Sequence, residues 1–277
     1  MTSSRTVFLD VDGTLIDHDQ VVAPSVVDAV QGARRNGHLV LLATGRSRAE
    51  IPIAIAEIGF DGAISAAGGF IEFEGALVAE HTLAPDAVDE IVAFFDSHGI
   101  EYNLQAFDAV HPSAGLAARI APVFGRMGLD LGAVDGADAA IAERMAYRGP
   151  APRGGIAKAT FFGEDRSTFA AVRDGLGDRF NVITGTIPYL GEAGGEVSSA
   201  GVDKGAAILE LVGLLGRDVA DAVAIGDSAN DVEMFAVAGL AIAMGNATPE
   251  IQARADEVTT AVHEDGVWNA FRRHGLL

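Results

Sequence analysis

Asp10 and Asp12 stand one residue apart at the end of an apolar run, residues 6–9 (TVFL), with Gly13 and Thr14 directly behind them. Two carboxylates this close repel, and each pushes the other's pKa up. A hard divalent cation with oxygen ligands relieves that repulsion, so the pair points to Mg²⁺. Further along, Thr44 adds a hydroxyl, Lys204 a fixed positive charge, and Asp227 with Asn230 and Asp231 more acid. Such a set supplies a nucleophile, an acid/base, a hydroxyl donor, a cation and a metal ligand. Phosphoryl transfer to a carboxylate requires these parts, because positioning and charge neutralisation do most of the work there.

The elements around these residues must bring them together. Strand 6–9 leads to a helix opened by Pro24 and stopped at Asn36-Gly37. Strand 38–43 ends at Thr44-Gly45-Arg46, a helix is expected over about 47–58, and strand 62–66 follows. This order predicts a parallel sheet with right-handed crossovers, with ligands at the carboxyl ends of its strands. From residue 196 the same pattern resumes: helix 203–215, strand 221–225, a helix to about 238 and strand 240–243. The stretch between differs. It has helix 85–98, a strand near 100–106, strand 156–162, a helix from Asp165 and strand 180–184, and reads as an α+β insert. The fold class is therefore α/β, a Rossmann-like parallel-sheet core with helices on both faces. Residues 1–82 and 189–277 form the core and 83–188 the inserted domain.

Composition narrows the function. The 277 residues are 49% hydrophobic, enough for a sizeable core, and the formal net charge of −20 argues against nucleic acid and anionic membranes as partners. A phosphorylated substrate would depend on local positive charge, and only two lysines exist, Lys158 and Lys204. The chain has no Cys, which excludes disulfides and thiolate chemistry. No signal peptide and no membrane-spanning run are read, so a cytoplasmic location is expected.

DVDGTL at 10–15, ATGR at 43–46, VDKG at 202–205 and GDSAND at 226–231 resemble, in order, the four motifs of the haloacid dehalogenase superfamily of phosphatases. The insert, and GDSANDVEMF followed by AMGNA, resemble the Cof-like branch with a C2-type cap. The resemblance implies a Mg²⁺-dependent phosphatase acting on a small phosphorylated metabolite, such as a sugar phosphate, with the cap closing over it. It implies Asp10 as nucleophile and Asp12 as the acid/base whose backbone carbonyl also ligates Mg²⁺. Thr44, Gly45 and Arg46 would meet the phosphate or substrate, and Lys204 would neutralise the phosphate and Asp10. Asp10, Asp12 and Asp227 would hold the metal, Asn230 would face phosphate, and Asp231 would lie behind the metal or toward Lys204. One departure stands out. Cof-like chains commonly carry Asn-Gly after the third strand, whereas this chain reads Ser65-Ala66-Ala67-Gly68-Gly69.

The motifs leave alternatives open. A phosphomutase acting on a hexose phosphate would use the same residues. A non-catalytic phospho-aspartate switch also groups acids, a Thr and a Lys around Mg²⁺, but such domains are shorter and their phosphorylated Asp lies on a later strand. Thr44 could also cap the following helix, and Arg46 reads equally as a substrate contact or a salt bridge. The seven histidines show no metal-ligand spacing and read as structural or surface residues. Arg148, Arg153 and Lys158 read as surface charge, with substrate binding the alternative, and the pairs Phe94-Phe95 and Phe161-Phe162 as core of the insert.

Overall fold

The computed structural model describes residues 4–17, 20–133, 136–185 and 190–277. Its strands are β1 (Thr6–Leu9), β2 (Leu39–Ala43), β3 (Gly62–Ser65), β4 (Phe70–Phe73), β5 (Ala76–Glu80), β6 (Glu101–Ala106), β7 (Val110–Pro112), β8 (Ile156–Phe162), β9 (Phe180–Thr184), β10 (Gly194–Ser199), β11 (Ala222–Gly226), β12 (Leu240–Ala243) and β13 (Glu257–Val258). The α-helices are α1 (Pro24–Arg35), α2 (Ile53–Ala56), α3 (Pro85–Ser97), α4 (Leu116–Arg126), α5 (Gly136–Arg144), α6 (Ser167–Leu176), α7 (Lys204–Leu214), α8 (Val232–Val237), α9 (Pro249–Gln252) and α10 (Gly266–Arg273). The chain divides into two compact units. One holds 1–46, 50–80 and 202–277; the other holds 47–49 and 81–201.

The first unit is built on an eight-stranded sheet in the order β13-β12-β11-β1-β2-β3-β4-β5. Strands β13 to β3 run parallel, and β4 and β5 add an antiparallel edge. Successive residues of a strand face opposite sides, and both sides are apolar here. Val7, Leu9, Val40, Leu42, Val223 and Ile225 pack in one core with Val26, Val30 and Phe271 of α1 and α10. Phe8, Leu41 and Ala224 pack in another with Ile208, Leu211 and Phe235 of α7 and α8. Helix α1 shows why it seats: Val26, Ala29, Val30 and Ala33 form one buried stripe behind an N-terminal Pro24. The helix expected over 47–58 is broken. A 3₁₀ turn at Arg48–Glu50 and the short α2 are separated at Pro52, whose ψ of 141° is extended.

The second unit has a five-stranded antiparallel sheet in the order β7-β6-β8-β10-β9. One face places Leu104, Ala159, Phe161 and Val197 against Ile91, Phe95 and Val172 of α3 and α6. The register puts Asn103, Gln105, Lys158, Thr160, Glu196 and Ser198 on the other face. Two sequence expectations change here. The expected return to the core at 188–189 lies outside the described residues, and the unit runs on to Gly201 because Gly194–Ser199 pairs with both β8 and β9. Lys158 is not surface charge: it is buried, with its Nζ 2.6 Å from Glu196 Oε2. Phe161 and Phe162 are both core of this unit, as expected, but on opposite faces of β8 because neighbours on a strand point apart: Phe161 packs against α3 and α6, Phe162 on Leu116 and Ile120 of α4. Arg148 and Arg153 do form exposed ion pairs, with Glu143 and Asp89.

Candidate active site

Strands β11, β1 and β2 are neighbours in the middle of the first sheet, and each ends in a residue singled out by its chemistry. Asp10 follows β1 and extends its ladder by donating its N–H to Ile225 O. Thr44 follows β2 and is likewise held, its N–H donating to Ile64 O. Asp227 follows β11. Chain order reverses between β11 and β1, which is where open α/β sheets bind ligands.

Lys204 joins these ends. It is the first residue of α7, whose N-cap Asp203 accepts a hydrogen bond from Ala206 N. Its Nζ lies 2.6 Å from Asp10 Oδ1 and 2.6 Å from Asp231 Oδ1, and all three residues are buried. Burial works against the Lys204 charge, but the two carboxylates outweigh it and hold the ammonium above the usual lysine range. Burial and the charge of Asp231 push the Asp10 carboxyl well above the usual carboxylate range, and Lys204 offsets this only in part. The other oxygen of Asp231 accepts from the N–H groups of Asp227 and Ser228. Asp231 therefore ties the Asp227 turn to Lys204.

Asp227 is the unsatisfied member. Its Oδ1 is buried without a hydrogen-bond partner among the described residues. Burial, with Asp231 adding to it, pushes its carboxyl up to about 7. Its Oδ2 receives Asn246 Nδ2 at 3.2 Å, and the same amide donates to Gly13 O at 2.9 Å. Val262 N donates to Asn246 Oδ1, which fixes which end of that amide faces Asp227. Gly13 is required here: its φ is +82°, and a Cβ on it would lie 2.0 Å from Asp227 Oδ2.

Asp12 is turned elsewhere. Arg46 grips its carboxylate with Nε at 2.7 Å and Nη2 at 2.6 Å. Partial burial raises the Asp12 carboxyl, but this fork outweighs it and keeps Asp12 below the usual carboxylate range. Arg46 also donates to Gln20 Oε1 and Glu50 O. It stands as the salt-bridge partner of Asp12, with four of its five N–H donors engaged by the chain. Thr44 Oγ1 accepts from Arg46 N at 3.1 Å, and Gly45 sits in the bend between them. Asn230 accepts Ser228 Oγ on its amide oxygen, and its Nδ2 has no partner among the described residues.

A divalent cation fits this set. Asp10, Asp227 and Asp231 each offer an oxygen within 4.8 Å of the others. Asp231 has both oxygens engaged by the protein, whereas Asp227 Oδ1 has none of its capacity used. Four carboxylates face one ammonium and one guanidinium, leaving two negative charges for a cation to balance. With the Asp12 carboxylate on Arg46, its backbone carbonyl is the donor that residue can offer.

The sequence reading missed Gln20 and Asn246 as site residues. Asn246 lies in the AMGNA stretch, where a signal existed. Gln20 itself has φ +57°, a conformation that no local pattern announces. Ala67 stands where Asn was expected and has φ +55°, a left-handed conformation in which Asn is easier than Ala.

A family model described as haloacid dehalogenase-like hydrolase matches residues 7–271. Among curated proteins, the chain is 28% identical over 276 residues to "Putative phosphatase YkrA" of Bacillus subtilis (strain 168), covering 99% of each. Among solved structures, a hypothetical protein from Geobacillus kaustophilus HTA426 aligns with a TM-score of 0.82 at 24% identity, over 99% of this chain and 100% of that one. The HAD subclass IIB sugar phosphatase BT4131 aligns with a TM-score of 0.78 at 20% identity, over 99% of this chain and 100% of that one.

Proposed function

Because the chain belongs to the haloacid dehalogenase-like hydrolase family, we propose that it is a Mg²⁺-dependent phosphatase hydrolysing a small phosphomonoester through an aspartyl-phosphate on Asp10. One observation carries this reading: the buried Asp10 carboxylate is fixed by Lys204 on one oxygen, beside an unsatisfied Asp227. The phosphatase names among its relatives support it.

In this reading Asp10 attacks phosphorus, the bond from phosphorus to the ester oxygen breaks, and Asp12, protonated once the negative charge of the bound phosphate opposes the pull of Arg46, gives that proton to the leaving alkoxide. Asp12 then takes a proton from water, the water oxygen attacks phosphorus, and the Asp10–phosphate bond breaks to free phosphate and the carboxylate. Lys204 compensates the charge on Asp10 and on the arriving phosphate. The Thr44 hydroxyl, with its oxygen already accepting from Arg46 N, has its proton left to donate to a phosphate oxygen, and the unpartnered Nδ2 of Asn230 is a second such donor. Asp10, Asp227 and the Asp12 carbonyl would hold Mg²⁺, with Asp231 behind them. The ion would screen the carboxylate from the phosphate and draw charge from the reacting oxygens.

The test is phosphate release from a panel of phosphorylated sugars, nucleotides and cofactors, with Mg²⁺ and then with EDTA. We expect release that needs Mg²⁺ and is lost, with the thermal melt retained, in Asp10→Asn. Turnover in that variant at the wild-type rate would rule out Asp10 as nucleophile.

A further inference from the structure

Arg46 is heavily engaged at the site. Its backbone is pinned twice: the N–H donates to Thr44 Oγ1, and the carbonyl accepts from Ala66 N at 2.7 Å. A guanidinium has five N–H donors, and the side chain places bonds on Asp12 Oδ1, Asp12 Oδ2, Gln20 Oε1 and Glu50 O. One N–H is left over, so a substrate phosphate could win a bidentate grip from Arg46 only by displacing one of these partners. The fork also does something a single point charge cannot. Two parallel bonds fix the plane of the Asp12 carboxylate, not merely its distance. Asp12 needs such support, because it follows β1 in a loop and its side chain is 46% exposed. Since Arg46 also orients Thr44 Oγ1, one residue links the end of β2 to the loop after β1.

We propose that Arg46 is a positioning residue that aims the Asp12 carboxylate for proton transfer, and that it does not bind the substrate phosphate. The proposal rests on the phosphatase reading. Misplacing a reacting group by about an ångström lowers rates by about 100-fold, so the effect belongs in kcat. The test compares wild type, Arg46→Ala, Arg46→Lys and Asp12→Asn, together with Asp12→Asn combined with each Arg46 change. The substrates are p-nitrophenyl phosphate and the best substrate of the panel. Arg46→Ala should lower kcat by about 10- to 100-fold with KM within about threefold. Arg46→Lys should recover little of it, since an ammonium cannot make the fork. Guanidinium ion at low, non-denaturing concentration should restore part of the Arg46→Ala rate. In the Asp12→Asn background either Arg46 change should cost less than about threefold, because nothing is left to aim.

A tenfold rise in KM at unchanged kcat would make Arg46 a phosphate ligand and overturn the proposal. So would a loss of kcat that multiplies in full onto Asp12→Asn. If Arg46→Ala does not fold, the Arg46→Lys cycle decides between the same outcomes. An inactive wild type defeats the phosphatase reading itself, whereas an active wild type with a KM effect defeats this inference alone.

Discussion

At the scale of single residues, the site is a set of charges that balance one another incompletely. Asp227 carries the clearest consequence. Its carboxyl titrates near 7 in the folded chain and near 3.8 when unperturbed. In the metal-free protein the unfolded state therefore loses this proton first, and stability falls as pH rises from about 4 to about 7. Allowing for partial exposure, the loss is about 1–3 kcal/mol. Asp10, also raised, acts in the same direction. The melting temperature in EDTA should drop between pH 5 and pH 8, more steeply than in Asp227→Asn. Added Mg²⁺ should raise it more at pH 8 than at pH 5, since the ion binds the ionised carboxylates. A Mg²⁺ shift of equal size at both pH values would contradict the assignment of Asp227 as a ligand.

At the scale of elements, the site depends on where a few strands and one helix begin and end. Helix α7 starts at the residue that must reach Asp10, and its N-cap Asp203 satisfies Ala206 N. Asp203→Ala should cost about 1 kcal/mol in stability. It should also lower kcat, because fraying of the first turn releases Lys204; chemical denaturation and steady-state kinetics read the two effects separately. An unchanged kcat alongside the stability loss would mean that Lys204 is held by its ion pairs alone. This scale also shows what the sequence makes legible. Strands β1, β2 and β11 are short apolar runs ending in polar residues, so their ends, and with them Asp10, Thr44 and Asp227, can be read directly. Lys204 stands at the start of the helix read over 203–215. Strand β10 is hidden because GGEVSS has almost no apolar alternation and is defined by pairing with β8 and β9. The Arg46–Asp12 fork is hidden for another reason: the residues are 34 positions apart, and either could have faced the substrate instead.

At the scale of the whole molecule, the acidity of the chain and the chemistry proposed for it pull in different directions. A formal charge of −20 draws divalent cations toward the protein and repels a phosphorylated substrate. Attraction for the substrate must then come from the few cations placed at the site. Among the described residues, no helix is long and apolar enough to cross a membrane. The scarcity of lysine has a practical side. Lys204 belongs to the first unit and Lys158 to the second, and each is 1% exposed with its ammonium on a carboxylate. Acylating reagents need an accessible, unprotonated amine, so the folded chain should resist modification at both positions until a unit opens. Peptide mass mapping after brief acetylation, across a denaturant series, should then record the opening of each unit through its own single lysine. Equal, rapid acetylation of both in native buffer would contradict their burial. Two residues buried for chemistry and packing thus become a pair of built-in reporters, one for each half of the protein.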